Sequence, residues 1–145
     1  MLTNEDIEVR AQRAQDLFKQ GYNCSQAVFA ACADIYGITD ERLALRLAAS
    51  FGGGIGRMRL TCGTACGMFL LAGLENGSAT PHDNAGKMAN YDLVQDLATQ
   101  FKAQYGSLTC SDLLGLTPCP ACHKAPCSEM VGEAVRIFLK TINKD

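Results

Sequence analysis

The stretch "YNCSQAVFAACADIYG" (Tyr22–Gly37) decides the fold class. Asn23 has a side-chain oxygen suited to a free backbone N–H, and Gln26 follows three residues later, the reciprocal pattern that opens a helix. Cys24, Val28, Ala31 and Ile35 then recur at helical spacing on one face, and Gly37 supplies the stop. Nothing in the stretch alternates with the two-residue period of a strand. The same grammar extends in both directions. Upstream, Ile7, Ala11, Ala14 and Phe18 form one helical face ended by Gly21. Downstream, "TDERLALRLAAS" (39–50) opens with Thr39 as the expected cap, and Asp40 and Glu41 suit the positive end of the helix dipole. Leu43 and Leu47 are expected to point inward.

The glycine-rich turn "FGGGIGRMR" (51–59) precedes a short apolar helix from Thr61 to about Asn76, with Cys62, Cys66, Phe69 and Gly73 on one stripe. "NGSATPHDNAG" (76–86) reads as a loop by composition. An amphipathic helix is expected from about Lys87 to Tyr105, carrying Tyr91, Val94, Ala98, Phe101 and Tyr105, with the aromatic residues as core. "GSLTCSDLLGL" (106–116) suggests a turn and a short helix, and Val131, Val135, Phe138 and Ile142 mark a closing helix. The expectation is an all-α single domain, residues 1–145, built as a bundle of five or six helices.

Composition agrees. The chain has 145 residues, 48% hydrophobic and 19% charged, enough to bury one substantial core. A net charge of −2 gives no electrostatic case for nucleic acid or an anionic membrane as partner. The start, "MLTNEDIEVR", has neither the apolar core nor the cleavage site of an export signal. The longest apolar stretch, Ala65–Leu74, is about half the length of a membrane-spanning helix. These features predict a cytoplasmic protein that does not insert into membranes, its thiols kept reduced. Oligomeric state is left open, a homodimer included.

In that setting eight cysteines point to metal binding or redox chemistry. Four share a context: Cys24 follows the cap residue Asn23, Cys62 follows Thr61, Cys110 follows Thr109, and Cys127 follows Pro126, each at the start of an expected helix. Free amide hydrogens and the helix dipole there stabilise a thiolate, so lowered thiol pKa values are expected. The roles of the other four are not determined by pattern. Cys32 lies among alanines and reads as core. Cys66, one turn above Cys62, suits an extra ligand, a resolving thiol or packing. Cys119 and Cys122 form a C-x-x-C pair, suited to a local dithiol or an accessory metal grip. With His123 that pair has the form of a c-type haem attachment site, a reading set aside because such attachment normally occurs outside the cytoplasm.

"NCSQAV", "FGGGIGR", "TCGTACG" followed by "LAGLENG", "GSLTCSDLLG" and Cys127 together resemble the C_GCAxxG_C_C family of small proteins described as redox-active. The resemblance covers about residues 10–142. It implies that the family's four cysteines correspond to Cys24, Cys62, Cys110 and Cys127, and its two motif glycines to Gly63 and Gly67. Thr64 stands where alanine is usual, and Cys66 lies inside the motif. Similar domains occur in multi-cofactor cytochromes beside an iron–sulfur centre, which implies a cluster site here.

Four thiolates suit zinc, a [2Fe–2S] cluster or a [4Fe–4S] cluster. Zinc ribbons draw their ligands from close C-x-x-C pairs, whereas ligands dispersed over separate helices suit a preformed pocket in a bundle. The expected function is a small redox protein, an electron carrier or oxidoreductase, with an iron–sulfur cluster on those four cysteines and a redox partner protein. Two alternatives use the same residues: thiol–disulfide exchange with Cys24 or Cys62 as the attacking thiol, and a structural zinc-binding or interaction protein. "FGGGIGR" lacks the preceding strand and the Gly-Lys-Ser/Thr ending of a phosphate loop, so its glycines are expected to allow a sharp turn or close approach beside the cysteine site. Arg57 and Arg59 are expected on a solvated surface, with charge compensation of a thiolate site as the alternative. His82 and His123 read as surface residues, and no hydrolase pattern is present.

Overall fold

The computed structural model describes residues 1–143. Among the described residues seven α-helices follow one another: α1 (Asn4–Lys19), α2 (Cys24–Cys32), α3 (Glu41–Ala48), α4 (Gly63–Asn76), α5 (Asn84–Tyr105), the single turn α6 (Cys110–Leu113) and α7 (Cys127–Ile142). Short 3₁₀ turns at Ala33–Tyr36 and Ala49–Phe51 extend α2 and α3. Among the described residues no strand forms, and the sole β feature is an isolated antiparallel bridge between Thr61 and Thr109. No described helix is long and apolar enough to cross a membrane.

The helix starts are chemically specified. Asn23 accepts from the Gln26 N–H at 2.9 Å while the Gln26 side chain accepts from the Asn23 N–H at 3.0 Å, the expected reciprocal cap. The Gln26 amide also donates to the Leu45 carbonyl at 3.0 Å, tying this start to α3. Thr3 and Asp6 cap α1 in the same way. The cap of α3 is Asp40 and not Thr39, because the Asp40 carboxylate accepts from both Arg42 and Leu43 N–H groups. α5 begins at Asn84, three residues before the expected start, because Asp83 accepts from the Gly86 N–H.

The core explains where the inward stripes hold and where they fail. Ile7, Ala11 and Ala14 of α1 and Val131, Val135 and Phe138 of α7 are buried, and these two helices pack extensively against each other. α2 and the first half of α4 are buried nearly all round, so α4 has no single stripe, and Gly73 is exposed. Leu43 and Leu47 do not point inward: they are 48% and 47% exposed, while Ala44, Leu45 and Ala48 face the core. Both stripes satisfy helical spacing in α3, and the close approach of α2 selects the one with small residues. Tyr91 is likewise 48% exposed, not core. At that level of α5 the inward position belongs to Asn90, whose amide donates to the Ala72 carbonyl and to Asn76 at 3.0 and 2.9 Å. Phe101 and Tyr105 are buried as expected.

α2 and α4 cross closely because Gly67 has no side chain. A Cβ at Gly67 would lie 2.8 Å from Val28 Cβ and 3.1 Å from the Ser25 carbonyl oxygen. Alanine gains about 1 kcal/mol of helix propensity over glycine, but overpacking a rigid core costs about 1–3 kcal/mol. Gly67→Ala is therefore expected to lower stability by about 1 kcal/mol net. Urea denaturation followed by circular dichroism measures it, and an unchanged or raised midpoint would contradict this account of the crossing.

Candidate four-cysteine site

Cys24, Cys62, Cys110 and Cys127 all line one cavity of ≈240 Å³. Three of them are the first residues of their helices, Cys24 of α2, Cys110 of α6 and Cys127 of α7. Cys62 differs from expectation by one position, since it is the N-cap of α4 and not a residue of its first turn. Cys62 and Cys110 are buried at 5% and 7% exposure, while Cys24 and Cys127 are half-buried. All four are free thiols, as are Cys32 and Cys66.

Backbone hydrogen bonds across two crossing segments fix the two buried members. The Cys62 N–H donates to the Leu108 carbonyl at 2.7 Å, and the Cys110 N–H donates to the Leu60 carbonyl at 2.6 Å, flanking the Thr61–Thr109 bridge. Neither segment alternates in sequence, so this bridge had no signal in the chain. Cys24 is held by the Asn23 cap, whose side-chain amide also donates to the Ala49 carbonyl at 2.9 Å. Its sulfur rests against Gly63, where a Cβ would come within 2.6 Å of Cys24 Sγ. The motif glycine beside Cys62 is thus the space that Cys24 occupies.

The turn between α3 and α4 closes another wall. Gly53, Gly54, Ile55, Gly56, Arg57 and Arg59 all have positive φ, between 58° and 77°. Left-handed backbone is disfavoured for residues with a Cβ, by about 1–2 kcal/mol each, so Ile55, Arg57 and Arg59 store strain. Long-reach backbone bonds hold the turn, among them Gly56 N–H to the Ser50 carbonyl at 2.8 Å and Leu60 N–H to the Gly54 carbonyl at 3.0 Å. The turn delivers Arg57 and Arg59 to the cavity wall. Arg59 is not a solvated surface residue: its Nη1 donates to Cys110 Sγ at 3.7 Å. Arg57 is exposed but borders the same cavity. Phe18, Leu113, Leu114 and Met130 complete an otherwise apolar lining that periodicity alone did not link to the cysteines.

The electrostatics reverse one expectation. Burial pushes the Cys62 thiol up to about 12, and the neighbouring Cys24 adds to the rise. The N–H groups of Ala65 and Thr64 favour the thiolate without offsetting burial. Burial also raises Cys127, with Cys24 and Cys110 contributing and Arg59 opposing. Cys66 is raised to about 11 by burial and Cys24. The helix-start amides are present, but desolvation outweighs them in the metal-free protein. Among the described residues no three His, Cys, Asp or Glu side chains are gathered closely enough to hold a single metal ion. The site is four thiols set around a space.

The remaining cysteines and the two histidines divide. Cys32 is core, fully buried at the end of α2, where burial lifts its thiol to about 12. Cys66 lies outside the cavity lining, its Sγ 3.9 Å from the Thr61 carbonyl. Cys119 and Cys122 are joined to each other in a disulfide. His82 and His123 are exposed.

The family model described as "Putative redox-active protein (C_GCAxxG_C_C)" matches residues 22–141. The chain belongs to this family. No curated protein and no solved structure matches it.

The raised thiols make stability depend on alkaline pH. Cys32, Cys62 and Cys66 have folded-state values near 12, 12 and 11 against an ordinary 9.0. Below about pH 9 the thiols are neutral in both states, and above it the unfolded chain ionises first. This contribution is thus complete below the ordinary value and is lost as pH rises toward the folded values. The urea midpoint of the reduced, metal-free protein is expected to fall steadily above about pH 9, and less steeply in Cys32→Ala. Equal slopes for the two proteins would refute the assignment to Cys32.

Proposed function

We propose that this member of the C_GCAxxG_C_C family is a small electron-transfer protein whose Cys24, Cys62, Cys110 and Cys127 ligate an iron–sulfur cluster. The observation that carries the reading is that these thiols, dispersed along the chain, line one cavity. The donor set is right for such a group, since thiolates are the usual cluster ligands.

A bound cluster would supply one-electron transfer. The chain's own residues prepare for it. Arg59, already donating to Cys110 Sγ, offsets the negative charge of ligating thiolates. The amides of Thr64 and Ala65 favour ionised Cys62. Phe18, Leu113, Leu114 and Met130 limit water around the sulfurs, the environment that sets a cluster's potential. The half-buried Cys24 and Cys127 form the open edge, where a redox partner protein would approach. A reducing, cytoplasmic setting goes with this reading, since ligating thiols have to stay unoxidised.

Anaerobic purification with iron and sulfide analysis and a visible absorption spectrum tests the reading. Wild type is expected to carry iron and a broad absorbance that dithionite bleaches, and Cys62→Ser to lose most of both. A colourless, iron-free wild type, or an unchanged variant, would sink it. Removing the Arg59 cation should also stabilise the oxidised form. Arg59→Leu is expected to lower the midpoint potential by on the order of tens of millivolts, read by spectroelectrochemical titration.

A further inference from the structure

Cys119 and Cys122 are thiol chemistry that the cavity does not use. They are joined in a disulfide while the other six cysteines are free. As a structural staple this bridge does little. It closes over only two residues, and the shortest rings constrain the unfolded chain least. The turn it spans is already held by the Cys122 N–H donating to the Cys119 carbonyl at 3.0 Å. The segment is anchored to the bundle by other contacts too. The His123 N–H donates to the Tyr105 carbonyl at 3.0 Å, and the Ala121 carbonyl lies against Gly106 so closely that a Cβ there would overlap it.

Access is the second observation. Both cysteines are half-buried and border an open surface cavity of ≈390 Å³ with Thr117, Pro118 and Lys124. An attacking sulfur can reach the bridge, and the Lys124 cation at the rim favours both an incoming and a released thiolate. Accessible disulfides are the exchangeable class, whereas structural ones resist reduction. In sequence the pair sits between Cys110 and Cys127, yet its sulfurs line a cavity of their own.

We propose that Cys119–Cys122 is a second redox centre that exchanges an electron pair with an external dithiol. A thiolate of the dithiol attacks one bridge sulfur. As that mixed disulfide forms, the Cys119–Cys122 bond breaks, and its electron pair leaves on the other cysteine, which takes a proton. The donor's second thiolate then attacks the donor sulfur of the mixed disulfide, and the remaining cysteine departs and is protonated. Two electrons and two protons pass from the dithiol, which becomes a disulfide, to the bridge, which becomes two thiols. The centre is independent of what the four-cysteine cavity holds.

The test uses the full chain and reads only the peptide carrying Cys119 and Cys122, by differential alkylation and mass spectrometry. Glutathione buffers of graded poise set the potential, and reduced thioredoxin serves as the protein dithiol probe. The pair is expected to open and reclose reversibly across the series, with thioredoxin opening it at least tenfold faster than glutathione at equal thiol concentration. A thioredoxin whose resolving cysteine is replaced by serine is expected to accumulate as a mixed disulfide on Cys119 or Cys122 of the oxidised chain. Three results would overturn the proposal: a bridge that persists in excess thioredoxin, a pair that stays reduced at every poise, or no mixed disulfide at either cysteine with that thioredoxin variant.

Discussion

Four helix starts can face one space only if the segments carrying them are held at a fixed separation. The bridge between Thr61 and Thr109 provides that constraint. It is small, two backbone bonds of 2.6 and 2.7 Å flanking one residue pair, but it binds the approach to α4 to the approach to α6. Cys62 and Cys110 stand one residue beyond it on each side, so their relative position follows from backbone geometry and not from side-chain packing. The large helices then supply the rest. The α1–α7 pair sets Phe18 and Met130 on the cavity wall, and the α2–α4 crossing at Gly67 brings Cys24 beneath Gly63.

The turn from Phe51 to Leu60 shows what that geometry costs. Three residues with side chains sit in left-handed backbone within it, a strain that persists only where surrounding structure over-determines it. The return is a guanidinium at Cys110 and a glycine-lined wall with no side chain to fill the space. Burial acts in the opposite direction at Cys62 and Cys127, raising both thiols. The Arg59 guanidinium beside Cys110 and the amides beside Cys62 work against that burial.

Much of the fold was legible because helix boundaries are local chemistry. The Asn23–Gln26 cap, the α1 stripe and the α7 stripe follow from residues within a few positions of one another, and each is present, except that the last members, Phe18 and Ile142, are half-buried. The failures share one cause. Leu43, Leu47 and Tyr91 satisfy helical spacing, but spacing names candidate faces without saying which one a neighbouring helix will cover. In α3 the close approach of α2 chose the alanines, and in α5 the polar Asn90 took the inward place because Ala72 and Asn76 offered it partners. The site was legible to a similar depth. The four cysteines could be picked out by their shared position at helix starts, whereas for Arg59 and for Cys119 with Cys122 the chain offered alternatives between which only the structure chose.

The sequence by itself determined the helical class, most helix starts and the helix-start context that four cysteines share, because capping and periodicity are written in neighbouring residues. Only the tertiary structure decided that these cysteines surround one cavity, that Arg59 turns inward to Cys110, and that burial overrides the helix-start effect on the Cys62 and Cys127 thiols. Those outcomes depend on contacts between residues tens of positions apart and on the exclusion of water. Both exist only once the helices have packed.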